Sequence, residues 1–210
     1  MATMIDIDDF LPQVLLYAPN CSDVVAYRFI REAAREFCER TRAWRESDEM
    51  TVTTPDCEAV STISDAEIIL IQRAELDGTA ITPRTVAWLD ENEPDWETTN
   101  DTGTARYITQ TTPNTVSVVP KQSGRLTMRL VLKPSVSAIT LPKFLLDQWG
   151  TEIGKGAAGR ILLIGTDDTG ANPPFGERLL AEFDASLGNE AIVAAKGQQG
   201  ARLRTKGSYL

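Results

Sequence analysis

Residues 125–160, RLTMRLVLKPSVSAITLPKFLLDQWGTEIGKGAAGR, contain two different hydrophobic periods in direct succession. In the first ten residues apolar side chains alternate with other residues, which is the period of a β-strand with one buried face. After Leu141-Pro142 the apolar residues recur every three or four positions, which is the period of an amphipathic helix. The stretch therefore predicts a strand followed by a helix from Pro142 to about Ile164, in a chain that contains both element types.

Strand signals dominate the chain before this switch. From about Met50 to Ile139 the sequence is rich in Thr, Val, Ser and Pro, and turn residues recur. A short helix is predicted from Pro83 to Glu91, because proline is favoured in the first turn of a helix. The predicted strands are residues 50–54, 66–76, 104–111, 115–120 and 125–134.

Helical signals flank this strand-rich region. Residues 22–44 carry an apolar stripe and begin with Ser22 and Asp23, which suit a helix N-terminus. Asn172-Pro173 predicts the start of a last helix that ends near Lys196. We therefore expect an α+β fold, with a helical bundle of long helices, an inserted antiparallel β-domain and an extended C-terminal tail. The expected boundaries are 1–45 and 141–196 for the bundle, 46–140 for the β-domain and 197–210 for the basic tail.

Residues 149–160, WGTEIGKGAAGR, are similar to a phosphate-binding loop in composition but not in spacing. A P-loop requires G-x-x-x-x-G-K-[ST] between a strand and a helix. Gly150 and Gly154 enclose only three residues, and Gly156 stands where the motif has Ser or Thr. The preceding residues already have a helical pattern, so nucleotide binding is not expected.

As part of a helix, the same stretch presents small residues that let a neighbour approach closely. Gly150, Gly154 and Ala158 are four positions apart, and Ala157 lies on the adjacent apolar stripe. Glycine in a helix interior costs up to about 1 kcal/mol, so repeated glycines indicate a packing requirement. We expect these four residues at a close helix contact or at a subunit interface, although a helix kink is another use of glycine.

Composition excludes several classes of function. The net charge of -9 disfavours a conventional nucleic-acid binder, because phosphate affinity depends on clustered Lys and Arg. The chain has no histidine, which removes Ser-His-Asp and Cys-His catalysis and the commonest transition-metal ligand. The three separated cysteines favour reduced, buried thiols. We expect no enzymatic activity, no cofactor and no metal.

No segment predicts a membrane or secretory role. The longest apolar runs, residues 68–71 and 161–164, are too short to span a bilayer. The first ten residues carry three aspartates and no basic residue, unlike a secretory leader. We expect a soluble protein made in a cytoplasm.

Two tryptophans beside acidic residues leave an alternative function open. Trp88 and Trp96 flank the acidic residues between positions 90 and 95. Aromatic rings stack on sugars, and paired carboxylates hydrolyse glycosidic bonds when a cleft holds them at a set separation. Structural packing and solvated carboxylates are the commoner uses of these residues. A carbohydrate-binding or carbohydrate-active protein is therefore the alternative.

The C-terminal residues differ in charge from the rest of the chain. From Lys196 onward every charged side chain is basic, and Arg202-Leu203-Arg204 alternates charge with an apolar residue. Such a segment can add as a strand or dock in a groove of an acidic partner. A disordered end without a role is the other possibility.

Four segments together resemble the head-to-tail adaptor proteins of tailed bacteriophages. FLPQVLLYAPNCSDVVAYRFIREAAREFCERTRAW, residues 10–44, is similar to their opening. RYITQTTPNTVSVVPKQSGRLTMRLVLKPS, residues 106–135, is similar to their β region. LPKFLLDQWGTEIGKGAAGRILLI, residues 141–164, and NPPFGERLLAEFDASLGNEAIVAAKG, residues 172–197, are similar to their later helices.

The resemblance implies a structural role in the virion neck and no catalytic residue. Copies would form a dodecameric ring beneath the portal vertex and would join the portal protein to a tail or nozzle protein. DNA would pass through the lumen without specific binding. A tail-completion or stopper protein of the same machine is a further alternative. The resemblance also implies portal-binding residues in the tail, namely Arg202, Leu203, Arg204, Lys206 and Tyr209.

Overall fold

The computed structural model describes residues 2–53, 58–98, 103–164 and 170–196, and for residues 189–196 it describes only the backbone path. The chain divides into two compact units. The sheet unit comprises the first three residues and residues 44–141, and the helical unit comprises residues 4–43 and the residues from 142 onward.

Helices and strands alternate irregularly along the chain. One 3-10 helix covers Ile7–Phe10. The strands are β1 (Met4–Asp6), β2 (Arg45–Val52), β3 (Glu58–Val60), β4 (Ala66–Leu76), β5 (Thr79–Pro83), β6 (Tyr107–Thr112), β7 (Thr115–Val119), β8 (Gly124–Pro134) and β9 (Thr140–Pro142). The α-helices are α1 (Leu11–Leu15), α2 (Asp23–Thr41), α3 (Val86–Asn92), α4 (Lys143–Ile164) and α5 (Pro173–Lys196).

Helix α2 ends earlier than its sequence pattern predicts. Its C-terminal residue is Thr41, because Arg42 adopts the left-handed backbone conformation with φ 55°. The Arg42 N–H donates to the Cys38 carbonyl at 2.8 Å, which satisfies one of the last carbonyls of the helix. Trp44, which the sequence pattern places at the end of this helix, belongs instead to the sheet unit and is fully buried.

Helix α4 bends at Trp149, directly before its glycine-rich stretch. Trp149 has φ -134° and ψ 19°, which lie outside the helical range. Its ring centroid lies 5.1 Å from that of Phe37 on α2 and 6.0 Å from that of Phe144 on α4. Aromatic contacts on both helices therefore hold the bend in place.

Seven strands form one mixed sheet in the order β2-β8-β4-β5-β6-β7-β3. Among the described residues of this sheet, β5 and β6 alone pair in parallel, through Thr82 and Pro83. Strand β8 lies between β2 and β4 and pairs antiparallel with both along most of its length. Its alternating residues are buried as the sequence predicts, and these residues are Leu126, Met128, Leu130 and Leu132.

A buried carboxylate links the two edges of this sheet. Asp48 lies on edge strand β2, and its side chain is 4% exposed. It accepts hydrogen bonds from the Ser61 hydroxyl at 2.8 Å and from the Thr62 backbone N–H at 2.9 Å, directly after edge strand β3. The sheet therefore curls until its first and last strands are joined by side-chain hydrogen bonds, and it is nearly a barrel.

The predicted fold class is wrong. We expected a bundle of long helices with an inserted antiparallel β-domain, but the largest feature is a seven-stranded, mixed and nearly barrel-shaped sheet. The five α-helices of the described residues include two of only five and seven residues, α1 and α3. The prediction failed because helical periodicity is a local signal, whereas the pairing of distant strands such as β2 and β8 is not.

Removal of the Asp48 carboxylate tests the closure of the sheet. Asp48→Ala leaves the Ser61 hydroxyl and the Thr62 N–H without the buried carboxylate that accepts from them, and hydrogen bonds to charged groups contribute about 1.5–3 kcal/mol each. We expect a loss of at least about 2 kcal/mol in the free energy of unfolding, measured by urea titration.

The control for this experiment is the neighbouring carboxylate on the same strand. Glu49 forms an exposed ion pair with Arg125, which contributes less than about 1 kcal/mol. Equal destabilisation by Glu49→Ala and Asp48→Ala would contradict the closing role of Asp48.

Candidate interaction surfaces

The first half of the glycine-rich stretch lies against α1 of the same chain. A Cβ atom added to Gly154 would lie 2.7 Å from the Gln13 Cβ and 2.8 Å from the Gln13 carbonyl oxygen. At Gly150 an added Cβ would lie 2.9 Å from Leu146 and 3.7 Å from the Gln13 side chain. The absence of a side chain at Gly154 is thus what lets the backbones of α1 and α4 approach each other.

The second half of the stretch lies against α5. A Cβ atom on Gly156 would lie 3.0 Å from the Phe183 ring, and one on Gly159 would lie 2.8 Å from Leu180. An added Cβ on Gly176 of α5 would lie 2.9 Å from the Gly159 carbonyl oxygen. The two helices therefore pack through facing glycines. All four residues that the sequence marked for a close contact are buried within the chain, namely Gly150, Gly154, Ala157 and Ala158.

Lys155 lies in this stretch and pairs with a carboxylate on α5. Its ammonium lies 2.9 Å from a Glu182 oxygen, and the lysine side chain is half-buried. This hydrogen bond raises the pKa of Lys155, and hydrogen bonds from Lys155 and Arg178 lower the pKa of Glu182. Lys155 thus stabilises helix packing, which agrees with the rejection of a phosphate loop from the spacing of its glycines.

The two tryptophans of the acidic region differ in their surroundings. One face of Trp88 is covered by the Arg84 guanidinium, 4.4 Å from the ring centroid, and Tyr107 contacts the ring edge-on at 5.0 Å. The Trp96 indole N–H donates to Asp90 at 2.9 Å, so this tryptophan is tied to the acidic segment. Trp88 is therefore packed between Arg84 and Tyr107, whereas Trp96 is held by a hydrogen bond to the acidic segment.

A cleft opens within the sheet between β4 and β6, and we call it the β4–β6 cleft. Strand β5 pairs with β4 only from Ala74 to Leu76 and then turns to pair with β6. Residues 69–73 of β4 therefore have β8 on one side and no strand on the other among the described residues. The cleft has a volume of about 580 Å³, within the range of ligand-binding clefts.

Side chains and backbone groups close the far end of the β4–β6 cleft. The Ile68 N–H donates to the Pro113 carbonyl at 3.1 Å, and the Gln110 side-chain amide donates to the Ile68 carbonyl at 3.2 Å. The Asn114 side-chain amide donates to the Ala66 carbonyl at 2.8 Å. The cleft is therefore wedge-shaped. At its wide end β4 and β6 are separated by one strand, β5, and at its narrow end these hydrogen bonds join β4 to the turn between β6 and β7. Sequence reasoning missed the cleft, because no local pattern shows where one strand leaves its neighbour.

Thr109 lines the β4–β6 cleft and has an unusual hydroxyl. Thr109 is 1% exposed, and its Oγ1 has no hydrogen-bond partner among the described residues. Buried polar groups are nearly always hydrogen-bonded, and an unsatisfied one costs about 1–3 kcal/mol. The Thr109 hydroxyl is thus a buried polar group in the wall of the cleft whose hydrogen-bonding capacity is unsatisfied.

The remaining candidate groups are the acidic side chains and the cysteines. Among the described residues no three His, Cys, Asp or Glu side chains are grouped as metal ligands. Burial raises the pKa of the Cys38 thiol, and also that of the half-buried Cys21. Cys57 and the predicted portal-binding residues lie outside the described residues; the latter are Arg202, Leu203, Arg204, Lys206 and Tyr209.

Comparison with known families identifies the class of this protein. The family model described as SU10 adaptor protein matches residues 5–201, and the chain belongs to this family. The match confirms the resemblance to head-to-tail adaptors, so the chain is a phage adaptor protein and a structural component of the virion. Membership implies that it contacts portal or tail proteins of the phage.

No curated protein matches the chain. Within the described part of the chain, no helix is both long and apolar enough to cross a membrane.

A pair of glycine substitutions tests the close packing of α4. Gly154→Ala places a Cβ atom against the Gln13 backbone, and overpacking of this kind costs about 1–3 kcal/mol. Gly188→Ala on α5 is the matched control, because nothing lies within 4 Å of its added Cβ. We expect Gly154→Ala to lower the free energy of unfolding and Gly188→Ala to raise it by about 0.5–1 kcal/mol, since alanine is the better helix former. Stabilisation by Gly154→Ala would contradict the contact.

A pH series tests the Lys155–Glu182 pair. Because the folded-state pKa of Glu182 is lowered, its contribution is complete above the ordinary glutamate pKa of about 4.3 and is lost as the pH falls through the lower folded-state pKa. We expect the wild type to have a higher urea midpoint than Glu182→Gln at pH 7, with a difference that shrinks in acid. Glu177→Gln on the exposed side of α5 is the control. A difference that stays constant down to pH 3 would disprove the pair's contribution.

Proposed function

We propose that this protein is a non-enzymatic structural adaptor that forms a dodecameric ring beneath the portal and joins it to a tail or nozzle protein. The observation that carries the proposal is the match to the adaptor family from residue 5 to residue 201. The lumen of the ring continues the channel through which DNA passes.

A closed ring needs two different contact surfaces on each copy, because its interfaces are heterologous. The glycine-rich face of α4 is buried within the chain and does not supply either surface. Exposed large apolar side chains occur on both units and support such contacts. They are Val60, Val136 and Ile139 on the sheet unit and Leu16, Val24 and Ile164 on the helical unit.

The charge of the chain supports passage of DNA without specific binding. A net charge of -9 for each copy repels phosphate, and an acidic wall does not retain DNA as a basic wall would. A ring whose lumen is lined mainly by Lys and Arg would contradict this part of the proposal.

The C-terminal tail is the proposed portal-binding element. Its charged residues are all basic from Lys196 onward, in contrast with the acidic chain as a whole. Arg side chains pair with carboxylates in two parallel hydrogen bonds, and Leu203 and Tyr209 supply apolar anchors. An acidic groove on the portal protein is the complementary surface.

Tail variants test portal binding directly. We expect deletion of residues 197–210, or their replacement by a Gly/Ser segment of equal length, to reduce the affinity for purified portal protein at least tenfold. The charge-preserving pair Arg202→Lys and Arg204→Lys should retain more binding than the neutral replacement. Surface plasmon resonance gives the affinities, and mass photometry gives the number of bound copies.

The outcomes separate the two parts of the proposal. Wild-type affinity in the deletion variant would refute the role of the tail. A saturated complex with a number of copies other than twelve would refute the dodecamer and leave the role of the tail intact.

A further inference from the structure

We propose that the β4–β6 cleft is a binding site for a short, extended, acidic peptide segment of a partner protein, which adds as a strand along residues 69–73 of β4. The proposal concerns a different surface from the basic tail, and it requires neither the ring nor the portal contact. Three features of the cleft support it.

The first feature is a strand edge without a partner. Within residues 69–73 of β4, Leu70, Ile71 and Arg73 pair with β8, and the register shifts on either side of Leu70-Ile71. Among the described residues no strand pairs with this stretch on its other side, and the wedge there is one strand wide where β5 enters it. Neighbouring strands lie about 4.8 Å apart and rise about 3.3 Å per residue, so this edge offers at most roughly 17 Å to an extended segment, and less towards its closed end at Ile68. Addition of a strand to such an edge is a common mode of peptide recognition.

The second feature is the buried Thr109 hydroxyl. Thr109 lines the cleft from β6, and its hydroxyl, buried in the wall of the cleft, has no partner among the described residues. A polar group of a bound segment would satisfy this hydroxyl and remove the cost of leaving it unpaired. The unpaired Thr109 hydroxyl therefore indicates a ligand with its own hydrogen-bonding groups, and a peptide backbone has such groups.

The third feature is charge, which selects the kind of segment. Three charged side chains line the cleft, and two of them, Glu67 and Lys133, lie directly opposite each other on β4 and β8. Their charges offset each other. The third charged side chain is Arg84, which is stacked on Trp88 and has no ion pair among the described residues, so its positive charge is not offset. A carboxylate on the segment complements Arg84, whereas the basic tail of a second copy has the wrong sign.

Leu70 adds an apolar contact beside these polar groups. Its side chain is 39% exposed and lines the cleft, although most apolar residues of β4 are buried. Side chains alternate along an added strand, so one apolar residue can cover Leu70 while a neighbouring carboxylate reaches Arg84. The expected ligand is thus an extended segment in which acidic and apolar residues alternate.

The test uses an array of overlapping twelve-residue peptides from the other virion proteins of the phage that encodes this chain. The full chain is the probe, and the affinity for each bound peptide is then measured by fluorescence anisotropy. We expect acidic, alternating peptides to bind. Arg84→Gln should weaken that binding at least tenfold, while Arg129→Gln, an exposed arginine on β8 outside the cleft, should leave it unchanged.

Thr109→Val separates a binding role from a structural one. Valine has the shape of threonine without its hydroxyl, so this variant should retain or raise the thermal unfolding midpoint while it weakens peptide binding. N-methylation of alternate residues in the bound peptide should also abolish binding, because it removes the backbone donors.

Three results would overturn the proposal. The first is the absence of any bound acidic peptide on the array. The second is binding that is equal in the wild type, Arg84→Gln and Thr109→Val. The third is retention of binding by every N-methylated peptide.

Discussion

The pairing of β8 with both β2 and β4 is the constraint on which the sheet unit depends. Strand β8 carries four buried apolar residues on one face, and Val131 on the other face is buried as well. It is therefore a central strand that needs a neighbour on each edge and cover on each face. The residues that pair with it lie fifty or more positions earlier in the chain, so the sheet cannot form from local contacts alone.

This constraint explains the unusual chemistry of β2. Its inward positions face Met128 and Leu130 of β8, yet they hold Asp48 and Glu46. Buried carboxylates are tolerated when hydrogen bonds satisfy them. Asp48 bonds to the residues after β3, and Glu46 accepts from the Trp44 indole N–H at 3.0 Å. Both carboxylates make β2 look exposed in the sequence, and one of them, Asp48, joins the two edges of the sheet.

The sequence predicted some parts of this structure and missed others for physical reasons. Helix α4 and the alternation of β8 were predictable, because periods of 3.6 and 2 are local signals. The predicted strand 50–54 corresponds to β2, which begins earlier, at Arg45. The first half of β2 was not predicted, because the charged residues Glu46 and Asp48 occupy positions where a strand pattern has apolar residues. The glycines of α4 marked close packing, but the partners Gln13 and Phe183 are distant in the chain. The β4–β6 cleft gave no signal, since it results from β5 leaving β4 for β6.

Two packing requirements are thus met within a single chain. They are the pairing of β8 with its two neighbours and the close contacts of the α4 glycines. Hydrogen–deuterium exchange of the free chain and of the chain assembled on the portal tests this claim most directly. We expect the amides of β8 and of residues 150–159 to be equally protected in both states, with new protection confined to other surfaces. Protection of residues 150–159 that appears only on assembly would contradict the account.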